Sequence, residues 1–363
     1  MIELSDLDID NFLAGAAILG TGGGGSPAEG KELLSRVHGR KLRIADVKDL
    51  PKDTLAVCPY VVGSITGEIR SPRKLGEMLQ VAVSLIEEKV GRKVGATVST
   101  EIGGLNSAIP LYVAGLLDVP LIDGDVVGRA APEVSHSLVL LSGLDLTPGV
   151  AQATTGLSVT VNKYGKVEEY ESLLRQLSVQ SGYVAVVDSP YPISTVKRMI
   201  VRGTMSASLR VGRVRRAALH ERSDVTKSLA SAIGGYVIFR GIIKSVDMVD
   251  KGGFLKGRIK VVGGDGGRST FESFVMNEHI FGWINGSPIV MPPDSFAFLD
   301  EKGTGLSNSE AVIGKKVSVV AWKSAPQWRR REGLKLFGPR HFGFTYDYTP
   351  VEKLILERGN LAR

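Results

Sequence analysis

Near residue 234 the hydrophobic pattern of this 363-residue chain changes period, so one layered architecture cannot accommodate both halves. Upstream, short apolar runs at 42–47, 55–62, 94–100, 119–122 and 183–187 alternate with segments of helical period at 73–90, 106–117, 167–179 and 195–218. Such alternation predicts an α/β layered domain with a mostly parallel sheet. Downstream, the runs 236–243, 257–262, 270–277, 295–299 and 316–321 read as strands without intervening helices. Turns are supplied by Gly252-Gly253, the glycine-rich stretch 263–267 and Pro292-Pro293-Asp294. This predicts a β-rich, barrel-like second domain. The expected division is an α/β domain over 1–233, the β-rich domain over 234–330, and a segment over 331–363 that returns to the first domain.

The 44 glycines are well above the usual share of about 7 %, and one run of them stands out. Ile9, Phe12, Leu13, Ala16 and Ala17 form a helical face, which Gly20-Thr21-Gly22-Gly23-Gly24-Gly25 stops. Ser26, Pro27 and Glu29 then restart a helix with an N-cap, a proline in the first turn and a capping-box glutamate. The run contains G-x-G-x-x-G, but a dinucleotide fingerprint must follow a strand and this one follows a helix. A phosphate-loop reading of Gly25 to Lys31 fails at Glu32, where Ser or Thr should hold magnesium. What remains is the backbone N–H groups of Gly22, Gly23, Gly24 and Gly25 as a site for an anion or a developing oxyanion. The plainer alternative is a tight interhelical turn, which seldom needs four adjacent glycines.

Carboxylates at expected strand exits form a second constellation. Glu101 follows the run 94–100, and Asp123 and Asp125 follow the run 119–122, with Arg129 just beyond. Ligand crevices in open α/β sheets lie at the carboxyl ends of the strands, so these acids can converge. Three carboxylates in one crevice repel each other unless a divalent metal or a shared proton compensates. The plainer alternative for Asp123 and Asp125 is capping and loop hydrogen bonding.

Other chemistry is less pronounced. The five histidines (His38, His136, His220, His279 and His341) show no zinc-type spacing, and His136, the nearest to the acidic loop, reads as structural rather than as a ligand. Cys58 is the only cysteine and follows an apolar run, which predicts a buried, inert thiol. No nucleophile elbow of the G-x-S-x-G type occurs. Eight basic residues against Glu221 fall within 197–222, and that surplus of seven equals the net charge of +7 for the whole chain. The segment has helical period but no interleaved aromatic residues, so a solvated or subunit-facing helix is expected instead of a nucleic-acid groove. No apolar run is long enough to span a bilayer. With a single cysteine and an acidic start, the chain reads as cytoplasmic, with no membrane partner.

Several blocks together resemble one family: Leu19-Gly20-Thr21-Gly22-Gly23-Gly24-Gly25-Ser26-Pro27, Glu101-Ile102-Gly103-Gly104-Leu105-Asn106, and Asp123-Gly124-Asp125-Val126-Val127-Gly128-Arg129-Ala130 with Pro132-Glu133. Arg202-Gly203-Thr204-Met205-Ser206, Phe239-Arg240-Gly241, Asn277-Glu278 and Gly338-Pro339-Arg340 with Phe342-Gly343 agree with it. The chain resembles the S-methyl thiohydantoin desulfurase family, associated with hydantoin metabolism, over nearly its whole length. It departs from the family pattern at Gly124, Val126, Val127 and the triplet Val134-Ser135-His136. The resemblance implies an N-terminal α/β domain, a β-rich domain toward the C-terminus and hydrolysis of a hydantoin-like small molecule with release of a thiol. The residues expected to act are Glu101 as base, Asp123 and Asp125 as catalytic acids or ligands of a divalent metal, and Gly22 to Gly25, Asn106, Arg129, Thr204 and Ser206 in substrate binding. A homo-oligomer is expected. The alternative is a non-catalytic ligand- or nucleotide-binding subunit of a hydantoinase- or oxoprolinase-type complex.

Overall fold

A computed structural model describes residues 1–63, 71–251, 254–263 and 267–361. The turns expected at Gly252-Gly253 and over Gly264-Asp265-Gly266 lie outside the described residues. Two sheets organise the chain. The first has nine strands, in the order Ile2–Glu3, Arg43–Ala45, Leu121–Asp125, Ala96–Ser99, Leu55–Gly63, Tyr183–Pro192, Gly149–Ala153 and Ser158–Val161, with Val201–Arg202 paired to Leu121–Asp125. Its centre, from Arg43–Ala45 to Leu55–Gly63, is parallel. Strands added at both flanks are antiparallel, among them the hairpin of Gly149–Ala153 and Ser158–Val161.

Both faces of the sheet's central strands are covered, which is why Leu55–Gly63 and Ala96–Ser99 are mostly buried and do not show a regular alternation of buried and exposed residues. In Leu55–Gly63, Leu55 and Val57 join a core with the helices Pro72–Val90 and Ala108–Leu117, while Ala56, Cys58 and Tyr60 face a second core with the helix Val167–Ser181. Cys58 is buried, as its apolar context predicts, and burial raises its thiol pKa well above the usual value.

The second sheet is an antiparallel half-barrel of seven strands, in the order Ser287–Val290, Glu278–Ile284, Ser269–Met276, Phe254–Gly263, Tyr236–Lys251, Lys316–Trp322 and Ser295–Leu299. It adjoins the first layer through the helix Asp6–Leu19, whose core also includes Ala297, Leu299, Val320 and Trp322. The C-terminal segment divides between the layers. Trp328, Phe337 and Phe342 pack with the first domain, whereas Val351, Leu354 and Ile355 pack on the second sheet.

The expected helix over 195–218 is interrupted. Ile193–Val196 and Thr204–His220 are separate helices, because Gly203 at φ 80° places the chain in a conformation that ends one element and starts the next. Thr204–His220 lies against Asp6–Leu19 so closely that a Cβ on Gly212 would meet the Asn11 carbonyl oxygen at 1.8 Å. Its arginines serve this contact: Arg213 pairs with Asp8 at 2.6 Å, Arg216 donates to Asn11 at 2.9 Å and Arg215 donates to Thr304 at 3.0 Å. Intrachain partners thus account for much of the basic surplus. No helix among the described residues is long and apolar enough to cross a membrane.

Candidate functional site

A cleft of about 1180 Å3 opens where the two sheets meet. Its walls include the loop 22–25, Glu101 and Asn106, the segment from Ala131 to His136, and Asn277 and Glu278 from the second sheet. Glycine is required at the loop because it is wedged between segments: a Cβ on Gly23 would meet the Glu278 carboxylate at 2.1 Å, and one on Gly24 would meet Gly103 Cα at 2.5 Å. The carbonyls of Gly22 and Gly24 accept hydrogen bonds from the amides of Asn308, Leu105 and Asn106. The amides of Gly22, Gly24 and Gly25 have no hydrogen-bond partner among the described residues. The helix that follows is already capped, with Ser26 and Glu29 bonding each other's backbone amides. Any anion recognition therefore belongs to the loop and not to the helix end.

Glu101 sits in the loop after the strand Ala96–Ser99. Burial raises its carboxyl to about 7, opposed by hydrogen bonds from the Ala131 amide at 2.8 Å and from the Asn106 side chain. The Asp125 charge pushes the same way as burial, and the Arg129 charge pushes against it. Glu278, at the start of its strand, is also buried. Burial first and the Glu101 charge second raise its pKa well above the usual carboxylate range, and its Oε2 has no hydrogen-bond partner. The cleft thus holds two carboxyls whose pKa values burial raises above the usual carboxylate range.

The structure does not bring Asp123 to this cleft. Asp123 and Asp125 lie within the strand Leu121–Asp125 rather than beyond it, and the register slips there, with Thr97 opposite Leu121 but Ser99 opposite Asp125. Asp123 accepts from the Ser206 amide at 2.9 Å and so caps the helix Thr204–His220, whose Gly203 cap has no side chain to offer. Asp125 is fully buried behind the cleft wall. Its Oδ2 accepts from the amides of Val127 at 3.0 Å and Gly128 at 2.6 Å, and burial, opposed by these bonds and one from Thr204, raises it to about 7. The two aspartates therefore share no ligand set for a metal. Thr204 and Ser206 serve the same helix start instead of lining the cleft, and Ser206 Oγ donates to the Gly203 carbonyl at 3.2 Å. Arg129 is buried and ties the layers together, donating to Thr21 Oγ1 at 2.8 Å, the His279 carbonyl at 2.6 Å and the Asp294 carbonyl at 3.3 Å. Of the expected recognition residues, the four glycines and Asn106 are in the cleft wall.

Groups that sequence reasoning did not assign also line the cleft. Asp188 accepts from Tyr60 at 2.7 Å, and burial raises its carboxyl to about 7 against that bond and those from Ser189 and Tyr170. Its folded pKa lies above the unfolded value of about 3.9, so its contribution to stability is complete below about pH 4 and is lost as pH rises through about 7. Asp188→Asn should remove this dependence, on the order of 4 kcal/mol. Urea denaturation of both proteins near pH 5 and near pH 8 checks this: the wild type loses more stability on the alkaline side than the variant, which keeps only the losses from Glu101, Asp125 and Glu278.

Glu133 and His136 also line the cleft, and His341 from the C-terminal segment is bonded to Glu133 at 3.1 Å. Partial burial alone would raise Glu133, but its hydrogen bonds with His341 and Ser135 and the imidazoles beside it outweigh burial and hold the carboxyl at about 2. Burial holds His136 at about 3, a neutral ring at physiological pH. Glu278, Glu133 and the turn around His341 fall in or beside the blocks that carried the family resemblance, which was the signal for them.

Fold and site together define a two-layer α/β and β half-barrel protein whose interlayer cleft carries buried carboxyls and a glycine loop. The S-Me-THD-like N-terminal domain model matches residues 7–163 and the S-Me-THD-like C-terminal domain model matches residues 165–351. The chain belongs to this family, the S-methyl thiohydantoin desulfurase family. Its fold is similar to the crystal structure of a protein from Chromobacterium violaceum, with a TM-score of 0.82 at 21 % identity, covering 97 % of this chain and 100 % of the other. None of the curated proteins compared matches the chain.

Proposed function

We propose that this chain hydrolyses a five-membered hydantoin-like ring at the carbon bearing a thioether and releases the thiol. The observation that carries the reading is Glu101, a half-buried carboxyl raised to about 7 on a cleft wall, with Asn106 and the Ala131 amide fixing both of its oxygens. A base with that pKa is half ionised at neutral pH, where proton abstraction from water is most effective. Water oxygen bonds to the ring carbon as Glu101 takes one of its protons and passes it to the ring nitrogen. The carbon–sulfur bond then breaks. Glu278, its pKa raised well above the usual carboxylate range by burial, gives its proton to the departing sulfur and regains one from the hydroxyl of the tetrahedral intermediate. The products are the ring carbonyl and the thiol, and water's two protons end on nitrogen and sulfur. The unpartnered amides of Gly22, Gly24 and Gly25 are the donors available to a ring oxygen or a substrate carboxylate.

The test is thiol release from S-methyl thiohydantoins with different ring side groups, followed with a thiol reagent from about pH 5.5 to about pH 8.5. The expected kcat/KM rises with pH and levels off above about 7, because only ionised Glu101 is a base. A flat profile would remove Glu101 from this role. Binding of the rings without turnover would favour the ligand-binding subunit.

A further inference from the structure

The cluster of Glu133, His136 and His341 has no part in the chemistry just proposed, and its composition is that of a metal site. Glu133 and His136 lie three residues apart on one turn, closed by the His136 amide donating to the Glu133 carbonyl at 3.1 Å. His341 arrives from the C-terminal segment, about two hundred residues later. One donor atom from each lies within 4.8 Å of the others. His136 Nε2 is 3.9 Å and His341 Nε2 is 3.1 Å from Glu133 Oε2. Ligand atoms on a tetrahedral zinc-type ion are separated by about 3.4 Å, from bond lengths of about 2.1 Å, so the observed spacings straddle what such an ion requires.

A second observation points to a ligand. The His136 side chain is 0 % exposed, and its Nε2 has no hydrogen-bond partner. Buried ring nitrogens are ordinarily bonded, and one left without a partner among the described residues costs free energy. The ring is also held in place. It stacks on Phe337 with centroids 4.3 Å apart and meets His341 edge-on at 4.8 Å. The Glu133 amide donates to its Nδ1 at 3.3 Å, and the Leu336 backbone lies beside the ring without meeting hydrogen-bond geometry at Nε2. Ser135 Oγ donates to the Glu133 carboxylate at 3.0 Å and orients it, as outer partners do in metal sites.

We propose that Glu133, His136 and His341 bind one divalent transition metal of the zinc type, with an open coordination position toward the cleft. Two imidazole nitrogens and one carboxylate suit zinc or its cobalt surrogate better than magnesium or calcium, which prefer oxygen ligands alone.

The test is titration of the chelator-treated full chain with Co2+, read by its visible absorption, and with Zn2+, read by calorimetry. One equivalent is expected to bind, with the intense visible bands of a low-coordinate cobalt site. His341→Ala, at a partly exposed position, should weaken binding more than about 100-fold, beyond the effect of losing an outer partner. His136→Gln should do the same, with circular dichroism reporting that the fold persists. Asp123→Asn should leave binding unchanged. The proposal is overturned by a wild-type chain that takes up no stoichiometric metal, by a cobalt spectrum unaltered in His341→Ala, or by loss of binding in Asp123→Asn alone.

Discussion

Glu101→Gln is expected to slow thiol release by on the order of 10²- to 10⁴-fold while the fold stays intact, the usual range for loss of a general base. The substitution keeps the shape of the side chain and one of its two accepting oxygens, so the Ala131 amide still has an acceptor once the Asn106 amide turns its oxygen to the new NH2 group. What it removes is the ability to take a proton. It also relieves the buried electrostatics, because Glu278 loses the neighbouring charge that helps raise its pKa. The variant should therefore be at least as stable as the wild type in urea, and its rate should lose the rise with pH through about 7. Arg210→Gln, on the exposed side of the helix Thr204–His220, serves as the comparison and should leave turnover almost unchanged. A Glu101→Gln protein that turns over at the wild-type rate would transfer the base to another group.

The largest effect on stability is expected at Asp294, which fastens the C-terminal segment to both layers. Its buried carboxylate accepts from Arg329 at 2.9 Å, from the amides of Ser324 and Val351 at 2.9 Å each, and from Tyr348 at 2.9 Å. Arg329 continues to Glu352 at 2.7 Å, which anchors the helix Val351–Leu361. Asp294→Ala removes one partner from a mostly buried ionic network, and such losses typically cost about 3–5 kcal/mol. Two backbone amides are also left without their acceptor. Urea denaturation should show that loss, and limited proteolysis should cut between the last strand and the C-terminal helix sooner than in wild type. A change under about 1 kcal/mol, the range of an ordinary surface substitution, would mean that the network contributes little beyond the apolar contacts of Val351 and Leu354.

The local signals were the readable ones. Glycines 22–25, the capping box at Ser26 and Glu29, the parallel-strand runs around Val57 and Val98 and the strands after Tyr236 are patterns a short window contains. Glu101 was legible for the same reason, since it directly follows a buried strand. Asp123 was not, because the register slip that turns it toward Ser206 depends on the pairing partner, which no window around residue 123 contains. Arg129 was misplaced for a similar reason. A lone arginine after an acidic block looks like a ligand for an anion until the Thr21, His279 and Asp294 acceptors arrive from elsewhere in the chain. Glu278 and His341 reach the cleft region only through the assembly of the two layers and the C-terminal segment. Spacing rules for histidine therefore saw five unrelated residues, although two of them lie 4.8 Å apart in space.

The account stands most directly on where the oxygen of the product originates. Incubating the purified chain with an S-methyl thiohydantoin in water enriched in oxygen-18, followed by mass spectrometry of the ring product, follows that atom. Hydrolysis at the sulfur-bearing carbon predicts one labelled oxygen per ring at that carbon, released together with one equivalent of thiol. Unlabelled product, or no product from any ring in the series while the rings still bind, would contradict it.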